Sequence, residues 1–249
     1  MTTLSAGPAN PAMLDHHFDS LLSRVFGVVR SPRATLTAVA SAPRWAGVLV
    51  LTFLTSTISS AALLQTEVGR MALVDQWERT ASAFGQNVDD RQYAALEDAS
   101  ANGPAYAAIS SFASGPLLTF GIAALLLAVF NGALGGAATY PQLLAMTAHA
   151  GVILALRQLV AAPVNYARET LASPMTMNVF FSMLDEASPM ARFFGIIDLF
   201  VVWWLAVLAI GLSVLYRRPA RRVLLGLVSA YLLLALLLVI VMAITGGTV

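Results

Sequence analysis

Three ionisable side chains interrupt the most apolar stretches of this 249-residue chain: His149, Arg157 and Asp198. A charge inside a bilayer is costly, so each is a functional candidate by default. Arg157 falls about three quarters of the way along one apolar run, and Asp198 about a quarter of the way along the next. If successive runs cross in opposite directions, the two sit at matched depth. An ion pair is then expected, because either charge alone would be buried without compensation. Such a pair can staple two helices together or stand on the path of a proton or solute. His149 lies near the middle of its run, where an imidazole can relay a proton or hydrogen-bond to a neighbouring helix.

A second group is small and polar. In Phe130-Asn131-Gly132-Ala133-Leu134-Gly135-Gly136, the asparagine can bond across helices where Gly132, Gly135 and Gly136 permit close approach. This is the chemistry of helix packing.

Other chemistries lack their residues. There is no glycine-rich phosphate loop, no His-Glu-x-x-His and no Gly-x-Ser-x-Gly elbow. Gly211-Leu212-Ser213 has no histidine on the following run to act as its base, and Asp198 has no second aspartate for aspartyl proteolysis. Cysteine is absent, which excludes disulfides and thiolate sites. His16-His17 beside Asp15 and Asp19 is a weak metal motif at best. The expectation is a chain with no catalytic residues, no metal, no cofactor and no nucleic-acid partner.

The elements that must position these groups follow from composition. Hydrophobic residues make up 58% of the chain and charged residues 11%, against about 25% charged in soluble domains. Lipid is the solvent that fits. A bilayer core needs about 20 apolar residues per helix, and five runs qualify: residues 46–64, 115–138, 142–163, 193–216 and 223–245. Runs this long predict helices and not barrel strands. The fold class is therefore all-α, a polytopic bundle of five transmembrane helices. The first 40 or so residues lack the pattern of a cleavable signal, so the first run is expected to remain as a span.

Arginine placement orients the bundle. All 14 basic residues are arginine. Arg24, Arg30, Arg33 and Arg44 precede the first span, and Arg217, Arg218, Arg221 and Arg222 fill the turn between the last two. With five spans both clusters share one side, expected to be cytoplasmic. The loop 65–114 then lies outside and is acidic, with Glu67, Asp75, Glu78, Asp89, Asp90, Glu97 and Asp98 against Arg70, Arg79 and Arg91. The N-terminus is expected inside and the C-terminus outside.

Two units follow. Residues 1–45 form a cytoplasmic segment in which Leu14, Phe18, Leu21, Leu22, Val25, Phe26 and Val29 recur at helical spacing, predicting an amphipathic helix on the membrane surface. Ser31-Pro32 opens a second short helix. Residues 46–245 form the membrane domain, with outer loops 65–114 and 164–192. In the first loop, Leu73, Trp77, Ala81 and Phe84 share a helical face and Asp89 caps a second helix.

Asp198-Leu199-Phe200, followed by Trp203-Trp204 and an apolar run to Gly211, resembles the fourth-span signature of the Yip (Ypt-interacting protein) membrane family. Arg30-Ser31-Pro32 is similar to the proline-bearing segment before the first span of bacterial members. Tyr140-Pro141-Gln142-Leu143-Leu144 resembles the aromatic-x-Gln entry to the third span. The resemblance extends over roughly residues 24–245, and implies a five-helix bundle with a cytoplasmic N-terminus in a bacterial inner membrane. It implies links to Rab GTPases and vesicle traffic in eukaryotes, and to ABC-type export systems for some bacterial members. The acidic loop 65–114 departs from the compact members, so partner identity does not transfer simply.

Two functions are consistent with these features. One is a non-enzymatic accessory or scaffolding subunit of a transport or export complex, whose partners are the bilayer and another membrane protein or a second copy of the chain. The other is an autonomous transporter, channel or lipid-handling protein using Arg157, Asp198 and His149. In the second case those three should face a common wet cavity; in the first they should be packed and dry.

Overall fold

The computed structural model describes residues 20–181, 183 and 188–245. Ten helices and no strand occur among them: α1 (Leu21–Arg30), α2 (Pro32–Ser41), α3 (Ala46–Leu64), α4 (Glu67–Ala83), α5 (Asp90–Ser100), α6 (Gly103–Ala133), α7 (Tyr140–Arg168), α8 (Pro189–Ile196), α9 (Leu199–Tyr216) and α10 (Ala220–Thr245). Five of them, α3, α6, α7, α9 and α10, are long and apolar enough to span a membrane.

Helix α7 is the centre of the bundle. Every residue from Leu143 to Ala150 is buried, the pattern of a helix enclosed on all sides. It packs against α2, α3, α6 and α9. The most apolar window of α10 is only 11% buried, against 61% for α7. Helix α10 therefore presents most of its leucines to lipid and touches the protein through α8 and α9.

Alternation of the spans puts α1, α2 and the α9–α10 turn on one face. Helices α4 and α5 and residues 169–181 lie on the other. On the first face, Val28, Leu36 and Val39 are fully or almost fully buried in the main core. This segment is therefore keyed into the bundle as well as lying along its edge. Leu22, Phe26 and Val29 remain exposed on a second apolar face of α1; residues 14–19 of the expected amphipathic helix lie outside the described residues. On the other face, Asp89 accepts a hydrogen bond from Gln92 N at 2.8 Å and caps α5 with a reciprocal capping box. Leu73 is fully buried and Trp77 meets Tyr106 edge to face at 5.2 Å.

The second and fourth spans differ most from expectation, and the third runs from Tyr140 to Arg168, past the expected 142–163. Helix α6 begins at Gly103, 12 residues before the expected start at 115. Pro104 stands in its first turn, where a missing N–H costs nothing, so the Asn102-Gly103-Pro104 turn opens a helix. The helix then passes Pro116 through a π-helical turn, Ala113–Leu117, which absorbs the bond a proline cannot donate. It ends in a second π-helical turn, Ala128–Ala133, so residues 134–138 are not helical. The fourth span is the other case. Residues 193–216 are not one helix: α8 stops at Ile196, Ile197 and Asp198 are extended, and α9 starts at Leu199.

Candidate functional site: a capped aspartate beside a polar cavity

The break before α9 exposes backbone groups at a depth where few partners exist, and the structure satisfies them one by one. Ile197 O accepts from Met177 N at 2.8 Å, and Leu199 N donates to Met175 O at 3.0 Å. The Tyr231 hydroxyl, from α10, donates to Ile196 O at 2.6 Å and accepts from Asp198 N at 3.3 Å.

Asp198 therefore does not sit part-way along a continuous span, as expected; it is the N-cap of α9. Its Oδ1 accepts from Phe200 N at 2.8 Å and Val201 N at 3.4 Å. A carboxylate at this position satisfies orphan amides and meets the positive end of the helix dipole. Its Oδ2 accepts from Ser173 Oγ and lies 3.0 Å from Arg157 Nε. The Arg157–Asp198 contact is an ion pair without the alignment of an N–H···O hydrogen bond. The two partners differ in exposure, 5% for the aspartate side chain and 35% for the arginine. Only Asp198 is sealed, and the guanidinium faces open space.

That space is a cavity of about 220 Å³ between α3, α4, α6 and α7, lined by Ser60, Gln76, Tyr106, Ser110, Arg157, Gln158, Asn165 and Ser173 among others. Ser60 lies four residues, or about 6 Å, from the end of α3, which places the cavity near one membrane surface. Gln158 ties α7 to α3 there: its Nε2 donates to Ser60 Oγ at 2.7 Å, and its carbonyl accepts from Ser59 Oγ at 3.1 Å.

His149 is not part of this group. It precedes Arg157 by eight residues, about 12 Å along α7, and does not line the cavity. Its ring is fully buried, with Nδ1 2.7 Å from Ala145 O and Nε2 enclosed without a partner. The three ionisable residues thus do not share one wet path.

The small-residue group lies at the opposite face and divides. Asn131 Nδ2 donates to Ala138 O at 2.7 Å, closing the end of α6, and its Oδ1 accepts from Tyr216 Oη on α9 at 2.8 Å. The Tyr216 ring stacks on Phe130 at 4.8 Å. Gly136 is pressed against that ring, and a Cβ there would fall 2.3 Å from it. Gly135 has φ +68°, the left-handed region glycine favours. A Cβ on Gly132 or Gly135 would meet nothing within 4 Å. Neither glycine meets another helix of this chain.

Ser173 and Tyr231 were not legible as site residues. Neither sits in a motif, and both reach Asp198 across the fold. Among the described residues no cluster of three or more His, Asp or Glu could hold a metal ion; His16 and His17 lie outside them.

No curated protein and no solved structure matches the chain. The family model of the Yip1 domain matches residues 26–243, from within α1 almost to the end of α10. This five-span membrane protein therefore belongs to the Yip1 domain family.

Proposed function

We propose that the protein is a non-enzymatic accessory or scaffolding subunit that docks another membrane protein, of a transport or export complex, through α6. The observation that carries this reading is the outward face of α6. Ala124, Ala128 and Gly132 recur at four-residue spacing and are all exposed, and a Cβ on Gly132 would meet open space. Lipid tails are as apolar as leucine, so membrane helices associate through small residues that admit a second backbone. The dry packing of His149 and the tying of Asp198 into a helix cap also favour a structural bundle over a conducting one.

In this reading the α1–α2 face is cytoplasmic and the acidic α4–α5 face is outside, in a bacterial inner membrane. The arginines around both ends of the bundle's first face support that orientation. Site-specific photocrosslinking in native membranes tests the docking. A probe at Ala128 should give one dominant adduct with a second membrane protein, and a probe at Leu236 on α10 should give none. Equal, diffuse crosslinking from both would reject it.

A second reading, a protein that handles a solute or lipid by itself, draws on the cavity beside Arg157. It predicts activity from the purified chain alone in vesicles.

A further inference from the structure

We propose that the cavity beside Arg157 binds a phosphodiester that carries a hydrogen-bond donor, the chemistry of a phospholipid headgroup such as phosphatidylethanolamine. The inference rests on the cavity and not on the docking of α6.

Three observations on one wall and its neighbours point to such a ligand. First, the Arg157 guanidinium has five N–H donors, and its Nε faces Asp198 Oδ2 at 3.0 Å in the ion pair. The side chain is 35% exposed and lines the cavity. A planar guanidinium with free outer donors recognises phosphate oxygens well. Second, Ser60 Oγ accepts from Gln158 Nε2 at 2.7 Å, which leaves its own hydroxyl proton available to a second acceptor. Third, Asn165 lines the same cavity and is 7% exposed, and its buried Oδ1 has no partner. Buried acceptors without a donor are rare and ask for an occupant. An ammonium or hydroxyl group on a ligand would supply that donor.

Charge and depth select further. Asp198 balances Arg157, so the cavity is close to neutral and suits a zwitterion better than a multiply charged anion. Asn165 lies two turns beyond Arg157 on α7, about 12 Å along the axis, a separation that a headgroup's phosphate and amine can divide between them with a water. Next to the cavity-lining Tyr106 and Ser110, Ile109 on α6 is 70% exposed. It offers an apolar contact for an acyl chain.

The test is native mass spectrometry of the purified full chain titrated with phosphatidylethanolamine, diacylglycerol and soluble glycerophosphoethanolamine, for wild type and Asn165→Leu. Selective retention of phosphatidylethanolamine, weakened roughly tenfold by N165L, supports the proposal with lipid as the source. Equal binding of glycerophosphoethanolamine, also weakened by N165L, supports it with a soluble diester as the source. Because Asn165 Oδ1 bonds nothing in the protein, N165L should leave the thermal transition unchanged or raised. No preference for phosphatidylethanolamine over diacylglycerol, or binding indifferent to N165L, would overturn it.

Discussion

The Tyr231 hydroxyl bridges the two sides of a broken helix, donating to Ile196 O at 2.6 Å and accepting from Asp198 N at 3.3 Å. Through it, the most lipid-exposed span, α10, is fastened to the start of α9, the span whose cap forms the ion pair. Tyr231→Phe keeps the ring and removes both bonds, leaving two backbone groups unpaired. Interhelical bonds in membranes contribute about 0.6 kcal/mol on average and up to about 1.7, so a loss of about 1–2 kcal/mol is expected. Reversible unfolding in mixed micelles would measure it, and an unchanged midpoint would show that the bridge is idle.

The Asp198 carboxylate has two jobs, and substitutions separate them. Asn is a competent N-cap and lacks the charge; Ala removes both functions. Asp198→Ala should therefore be more destabilising than Asp198→Asn by about 1 kcal/mol. A double-mutant cycle of D198N with Arg157→Gln should give a favourable coupling of about 1 kcal/mol, discounted for the half-exposed arginine. Strict additivity would mean that the ion pair contributes nothing.

The glycines at the end of α6 make opposite predictions. Gly136→Ala drives a methyl into the Tyr216 ring and should cost about 1–3 kcal/mol. Gly132→Ala meets open space and should change stability by less than about 0.5 kcal/mol. Melting temperatures of the two variants in detergent would check this, and equal losses would contradict the packing described.

His149→Leu should be tolerated. The ring makes one local bond, to Ala145 O, and buries an unpartnered Nε2, so an apolar residue of similar size removes a cost along with a contact. A change within about 1 kcal/mol is expected from the same unfolding measurement. Loss of a cellular function with the fold intact would instead restore a proton-handling role to this residue.

Much of this was legible in the residues. Apolar length alone located all five spans, and the first, Ala46–Leu64, has the expected limits. Matched depth pointed to Arg157 and Asp198 as neighbours. What hydropathy cannot see is backbone. Phe193 to Tyr216 reads as one apolar run, yet an aspartate directly before Leu-Phe-Val-Val is also an N-cap signal, and that signal marks where the helix restarts. Asn102-Gly103-Pro104 reads as a turn signal, and the structure makes it the first turn of a helix. Tyr231 and Ser173 bond to Asp198 across 33 and 25 residues, and no local pattern encodes such contacts. The cavity was illegible for the same reason, since its walls come from four helices.

The docking of α6 is tested most directly by the mass of the complex. The tagged protein, extracted at native level in mild detergent, would be sized by light scattering and its components identified by mass spectrometry. The account predicts the 26.3 kDa chain in fixed ratio with a second membrane protein, and release from it when Gly132 is replaced by Ile. A lone chain or a homo-oligomer, unaffected by Gly132→Ile, would contradict it.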